Sequence, residues 1–303
     1  MSDVLSELIE LLALEPLGED RYIGGSQDLG WGTIFGGQVL GQALSAAAQT
    51  VDSKRVVHSM HGYFLRTGDV SASVEYEVDR LRDGRSFTTR RVVARQHGKA
   101  IFSLAASFHA DEVGFEHQDP MPAVTPPEKL VSERTMARAV ADQIPDWLKG
   151  RALNPRPVET RPVNPINPMR PDVRPGERMV WYRASRALPD DPALHRYLLA
   201  YISDFNFLAV ALQPHGVSWL SKGIRMASLD HAIWFHRPFR LDDWLLHVVE
   251  SPSAAGARGM VRGRIYAADG TLVATTAQEG VIRMSQWREG EVPQARGADE
   301  EGK

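Results

Sequence analysis

The sequence predicts an α+β fold built twice, with two tandem antiparallel sheets each wrapped around a central helix. Two regions, about residues 56 to 110 and 226 to 284, are rich in Val, Thr, Phe, Tyr and Ile and are punctuated by tight-turn residues, the pattern of consecutive strands in a meander. Each region follows a helical segment with little polar surface. The spacing repeats as well: His61 to Gly98 spans 37 positions and His231 to Gly270 spans 39, with Tyr63-Phe64-Leu65-Arg66 matched by Trp234-Phe235-His236-Arg237. These observations together indicate a duplication.

Taken in order, the first helix is "GGQVLGQALSAAAQ" from Gly36 to Gln49, so poor in large side chains that a sheet can approach its backbone closely. The meander after it turns at Asp83-Gly84 and His97-Gly98, where glycine supplies the positive φ of short hairpins. Residues 113–177 hold 12 of the 19 prolines and read as a connector of extended chain, with a short helix around Ser132 to Ala141; proline cannot donate to a sheet ladder, and a disordered linker is the competing reading. The second helix runs from about Pro192 to Leu212 and is apolar almost all round. Its meander turns near Pro252 with Gly256 and at Asp269-Gly270. The expected units are therefore an N-terminal half over 1–112, the connector over 113–177, a C-terminal half over 178–288, and a charged, Gly-containing tail over 289–303 that reads as disordered.

Composition narrows the function classes. A hydrophobic fraction of 43% over 303 residues supports a substantial core, and a net charge of -3 gives no basic field for nucleic acid or anionic membrane. The absence of cysteine removes disulfides, thiolate nucleophiles and cysteine-ligated metals. The N-terminus carries acids where a signal peptide has basic residues, and no run reaches the length of a membrane span, so the expectation is a soluble, cytoplasmic protein.

The residue that most needs explaining is Asp204, a carboxylate inside the apolar run "YISDFNFLAVAL". Burying a carboxylate costs several kcal/mol, roughly, unless hydrogen bonds offset it. Either it bonds Ser203, Asn206 or a backbone amide at a helix irregularity, or it sits at the seam of helix and sheet and orients a water as general base, a role that partial burial favours by raising its basicity. Ser228 and Gln278 are candidate partners. Gln278 shares a strand face with Leu272, Ala274, Thr276 and Ile282, where its amide can hold a water or be a satisfied interior group. His58, His61 and His231 read as strand-packing residues or as hydrogen-bonding residues between the halves. Asp230, His231 and His236 lack the geometry and the second ligand cluster a metal site needs, so no metal and no cofactor are expected. "GGQVLGQ" lacks the spacing of a dinucleotide-binding fingerprint, but Gly36 and Gly37 at a helix start can present N–H groups to a carbonyl oxyanion. No G-x-S-x-G elbow occurs.

The stretches "YISDFNFL", "SLDHAIWFHRPFRLDDWLLHVVES", "ARGMVRGRIYAADGTLVATTAQEGVIR", "FGGQVLGQAL", "VHSMHGYFLRTGD" and "DGRSFTTRRVVARQ" strongly resemble acyl-CoA thioesterase II, a double-hotdog family, from about residue 10 to 287. The resemblance implies a hydrolase of fatty and lipid metabolism that cleaves fatty acyl-CoA to free fatty acid and coenzyme A. It assigns water-holding roles to Asp204, Ser228 and Gln278. Many members have Thr in a "TIDH"-like stretch where this chain has Ser228, which keeps the hydroxyl and loses the methyl that restricts its rotamer. An apolar tunnel lined partly by Phe205, Phe207 and Trp234 is expected to hold the acyl chain, and arginines on the meanders, Arg258 among them, to meet the CoA phosphates. The family also implies a homo-oligomer. The alternatives are a hotdog enoyl-CoA hydratase, which needs an Asp and a His placed together, and a non-catalytic acyl-CoA-binding protein.

Overall fold

A computed structural model describes residues 3–285; the tail expected over 289–303 lies outside the described residues. After helix α1 (Val4–Leu12) come short strands β1 (Glu15–Gly18) and β2 (Arg21–Gly24), helix α2 (Gly36–Ala48), and the meander β3 (Arg55–Phe64), β4 (Val74–Asp83), β5 (Phe87–Gln96) and β6 (Lys99–Ala110). The connector carries α3 (Glu133–Ala139), α4 (Asp146–Leu153) and β7 (Val158–Pro162). The second half comprises β8 (Glu177–Ala184), α5 (Pro192–Ser203), a 3-10 segment (Leu208–His215), β9 (Ile224–Ser228), β10 (Asp230–Phe235), β11 (Leu245–Ala255), β12 (Arg258–Ala267) and β13 (Leu272–Met284).

The two meanders join edge to edge. β3 of the first half pairs antiparallel with β10 of the second, His61 opposite Ala232, so one continuous sheet runs β1-β2-β4-β5-β6-β3-β10-β13-β12-β11-β8-β7, with β9 also on β13. Duplication is visible atom by atom. The N–H groups of Leu65 and Arg66 both point at the Ile101 carbonyl (2.8 and 3.1 Å), and those of His236 and Arg237 both point at the Val273 carbonyl (2.8 and 3.5 Å). Arg66 and Arg237 then each reach the preceding carbonyl, Ala100 and Leu272.

The hairpins follow the expected turn chemistry with two exceptions, the first being Asp83-Gly84, where Gly84 lacks the expected positive φ. His97 (φ 49°) and Gly98 (φ 71°) are both left-handed, as a two-residue hairpin requires, and Gly270 (φ 93°) closes β12–β13. The β11–β12 turn is made by Gly256 and Ala257, while Pro252 lies inside β11 at a shift of register between Glu250 and Ser253. A proline without N–H is tolerated at such a bulge.

Both helices lie in one apolar core, with Leu40, Ala43 and Leu44 of α2 and Leu198, Leu199 and Ala200 of α5 fully buried. The small residues of α2 serve a different contact from the one expected. A Cβ on Gly41 would come 3.0 Å from the Tyr197 carbonyl, and one on Gly37 would overlap the Tyr201 carbonyl. Glycines one turn apart thus meet carbonyls one turn apart, and the close approach is helix to helix.

The connector is more ordered than its prolines suggest. Ser132 caps α3 by accepting from the Thr135 N–H. Glu133 accepts from Arg178 (3.1 Å) and Thr160 (2.9 Å), pinning α3 to the second-half sheet; despite burial, Arg178, Arg156 and the Thr160 hydroxyl hold its carboxyl below the usual range. β7 adds an edge strand to β8, which proline permits because Pro162 ends it at the sheet's rim.

Candidate active site

The helical run containing Asp204 is broken. α5 ends at Ser203, Asp204 is its C-cap, Asn206 takes a left-handed φ of 57°, and the chain continues as a 3-10 segment. Asp204 therefore stands at a helix terminus and not mid-helix, which is how it escapes a fully apolar circumference. A carboxylate is badly placed at the negative end of a helix dipole, and the N-terminus of α2 compensates. The Gly37 N–H bonds the Asp204 carboxyl, and a Cβ on Gly36 would lie 2.6 Å from Oδ2. Gly36 and Gly37 are glycines because the carboxylate and the α5 backbone occupy the space of their side chains. Phe35, just before α2, locks the joint edge-on against Tyr201 (5.2 Å) and Phe205 (5.7 Å).

The sheet supplies the other wall. β9 and β10 both pair with β13 and are separated by Leu229, whose N–H bonds the Glu279 carbonyl while its own carbonyl accepts from Phe64. Across this break Ser228 and His231 flank Gln278. The Gln278 Nε2 donates to Ser228 Oγ at 2.7 Å and also bonds Asp204, and its Oε1 lies 2.6 Å from His231 Nδ1. His231 Nε2 is 3.0 Å from Ser203 Oγ, which is in turn 2.9 Å from the Ala200 carbonyl. Asp204, Ser228 and Gln278 are therefore one hydrogen-bonded group formed from the second half, with α2 of the first half closing it.

Burial pushes the Asp204 carboxyl up to about 7, against the opposing pull of the Gln278 amide and the Gly37 N–H. Burial depresses the neighbouring imidazoles: His231 to about 4, opposed by its bond to Gln278, and His247 to about 3, with Arg178 and His231 adding to the effect. At neutral pH the site holds a carboxyl near its own midpoint beside neutral histidines, the condition a general base requires.

Other sequence-predicted residues fall in different places. Phe205 adjoins Asp204 and lines a cavity of about 970 Å³ between the C-terminal end of α5 and the connector, together with Tyr201, Ile202 and Asn206. The cavity also meets the sheet at β7 and β8, through Val158, Thr160 and Arg178, but of the three aromatic residues expected to line a tunnel only Phe205 is at its wall. Phe207 is fully buried with its ring between His231 (5.6 Å) and His247 (5.4 Å), so it supports the site from below. Trp234 points the opposite way: along β10 the inward positions are His231, Ile233 and Phe235, and Trp234 packs edge-on against the exposed His61 at 4.9 Å. Arg258 pairs with Glu279 at 2.9 Å on an exposed hairpin. His58 bonds Ser107 (2.8 Å) and packs on Phe87, a strand-packing role as expected.

Sequence reasoning missed two contributors. His231 reads from the sequence as a strand-packing residue or a hydrogen-bonding residue between the halves, although alternation along "DHAIWF" places it inward with Ile233 and Phe235, where it bonds Gln278 and Ser203 of its own half. Arg151 lines the cavity with its guanidinium over Trp31 and makes no ion pair among the described residues; burial and nearby Arg156 lower it to about 10. No group of three or more His, Cys, Asp or Glu suited to a metal occurs among the described residues.

Comparisons with known proteins agree with this geometry. Residues 149–281 match the acyl-CoA thioesterase family and residues 26–109 its N-terminal domain. The chain is 45% identical over 286 residues to acyl-CoA thioesterase 2 of Haemophilus influenzae, covering 94% of this chain and 100% of that one. It is 43% identical to acyl-coenzyme A thioesterase 8 of Homo sapiens, covering 93% and 91%. The crystal structure of the acyl-CoA thioesterase II TesB2 from Mycobacterium marinum superposes with a TM-score of 0.75 at 40% identity, over 92% of this chain and 99% of that one. A crystal structure described as having a hot dog fold, from Alicyclobacillus acidocaldarius, shares the fold at a TM-score of 0.72 and 19% identity. The chain belongs to the acyl-CoA thioesterase family and has its double-hotdog fold.

Proposed function

We propose that the protein hydrolyses fatty acyl-CoA to free fatty acid and coenzyme A with a water activated by Asp204. The observation that carries this reading is the Asp204–Gln278–Ser228 group, whose carboxyl is held near neutrality at the N-terminus of α2. Ionised Asp204 accepts a proton from water while Ser228 and Gln278 fix the water's position, and the oxygen attacks the thioester carbonyl carbon. The oxyanion of the tetrahedral intermediate needs an N–H donor. Gly37 is engaged by Asp204 and the Gln38 N–H by the Phe35 carbonyl (3.0 Å), so Gly36 is the first-turn glycine whose N–H remains for it. Collapse of the intermediate breaks the C–S bond and expels the CoA thiolate.

The cavity beside Phe205 is the place for the substrate, and Arg151 at its wall is better suited than Arg258 to meet a CoA phosphate, because it has no carboxylate to release. His231 faces Gln278 and not Asp204, which argues against a hydratase that needs the acid and imidazole together. The same reading includes a cytoplasmic enzyme that self-associates; no helix among the described residues is long and apolar enough to cross a membrane.

The test follows free-thiol release from saturated acyl-CoAs of several lengths. Release by the wild-type protein and a fall of about 10²- to 10⁴-fold in kcat for Asp204→Asn are expected, the scale of a lost general base. Full activity in the variant, or no release from any acyl-CoA, sinks the mechanism.

A further inference from the structure

The hydrogen bonds around Gln278 fix more than its position. An amide has a donor end and an acceptor end, and only one orientation serves an ionised carboxylate, which can only accept. With the Gln278 NH2 group toward Asp204 and Ser228, its Oε1 must face His231, so Nδ1 must carry the imidazole proton. His231 is fully buried and neutral, and a neutral ring has one N–H, so Nε2 is left as an acceptor. The only hydrogen-bond partner of Nε2 among the described residues is Ser203 Oγ at 3.0 Å, so this tautomer is fully paired when the Ser203 hydroxyl turns its single proton from the Ala200 carbonyl to the ring. The reverse chain is also complete: Ser203 donates to Ala200, Nε2–H donates to Ser203, and Nδ1 accepts from the amide. That state turns the Gln278 oxygen toward Asp204, where it repels the ionised carboxylate. The tautomer of His231 and the rotamer of the Ser203 hydroxyl thus select which end of Gln278 faces the catalytic acid.

The fold itself does not ask for this pair. In the first half the positions equivalent to His231 and Gln278 are Met60 and Ala106, opposite one another on β3 and β6, both fully buried and both apolar. Swapping an apolar pair for a buried imidazole and amide adds desolvation cost without adding to the scaffold. The groups facing His231 are Ser203 from α5, Gln278 from β13, the Phe207 ring, and His247 from β11, which is titratable but itself neutral and deeply buried.

We infer that His231 and Ser203 are positioning residues, which hold Gln278 through the Nδ1–H tautomer with its NH2 group on Asp204 and Ser228. The inference rests on the hydrolase reading above, and its test is separable from that one because the wild-type enzyme and Asp204 are untouched. His231→Leu removes the Nδ1 donor, whereas His231→Asn places an amide N–H near where Nδ1 stood. In His231→Leu, kcat should fall about 10- to 100-fold, the scale of lost outer hydrogen bonds around a functional group, with KM little changed. Its acid limb in the pH–rate profile should move to higher pH, because Asp204 loses the Gln278 donor; a packing defect alone has no reason to move that limb. His231→Asn should recover most of kcat and restore the limb, and Ser203→Ala should shift the limb in the same direction as His231→Leu.

Nitrogen-15 NMR of histidine-labelled wild-type protein, with the signal assigned by its loss in natively folded His231→Asn, reads the tautomer in the unaltered enzyme and does not need His231→Leu to fold. An Nδ1–H ring at pH 8 supports the inference. An Nε2–H ring, or a natively melting His231→Leu with unchanged kcat and unchanged acid limb, overturns it while leaving the Asp204 mechanism standing.

Discussion

At the scale of single residues, the site turns on where one proton resides. Asp204 sits at about 7 because burial outweighs the two hydrogen bonds that favour its charge. A general base works only when ionised, so kcat/KM should fall about tenfold per pH unit below about pH 7 and level off above it. A profile flat from pH 5 to 8 would show that the base is another group. This residue was legible in the sequence because a carboxylate in an apolar run is costly wherever it lies, and Gln278 was legible as an amide on an inward strand face. His231 was not. Its residue type fits packing, metal binding and relay equally well, and only its 2.6 Å contact to Gln278 decides among them. Trp234 failed for the opposite reason: its aromatic character suggested a lining role, but strand alternation turns its ring to the outer face.

At the scale of elements, the site is a joint between two helix ends. The negative end of α5 presents Asp204 to the positive end of α2, and Phe35 packs across the joint. A side chain at Gly37 has nowhere to go, because its Cβ would fall on the Tyr201 carbonyl, a rigid helical backbone atom. Gly37→Ala should therefore cost about 1–3 kcal/mol in urea unfolding and lower kcat together, even though alanine is the better helix former. Gly32→Ala is a fitting contrast: it is strained by its φ of 69°, yet its Cβ meets nothing, so it should spare the joint and leave kcat intact. Equal kcat losses in the two would remove the joint as the explanation. The small-residue character of α2 was plain in the sequence, but which neighbour used it was not, since composition cannot tell a sheet from a helix. The end of α5 was hidden likewise: Phe, Leu, Ala and Val continue past Asp204, and only the left-handed Asn206 shows the break. Prolines misled over the connector, because a single edge strand such as β7 needs few donors.

Across the whole molecule, duplication leaves the first half's sheet without the site's buried polar pair, while its helix α2 still closes the site. The scaffold pairs His231 with Gln278 where the first half has Met60 and Ala106, so the second half carries buried titratable groups that the fold could do without. Their linkage to folding has opposite signs. His231 and His247 have folded pKa values of about 4 and about 3, below the ordinary 6.5, so the unfolded chain binds their protons first as pH falls, and stability drops from about pH 6.5 down through about 3. Asp204 has a folded value of about 7, above its ordinary 3.8, so the folded chain holds that proton, and its contribution is lost as pH rises from about 4 through 7. Between pH 4.5 and 6 the two histidines therefore tilt stability upward with pH and Asp204 tilts it down by at most one proton, about 1.4 kcal/mol per pH unit. Replacing Asp204 with Asn removes only the downward part. Urea unfolding of wild type and Asp204→Asn across pH 4.5 to 8 should thus give a steeper rise with pH in the variant, ending with the variant the more stable protein at pH 8. Parallel curves would mean that Asp204 titrates alike in the folded and unfolded chains, and the reason for its reactivity would then have to be sought outside its burial.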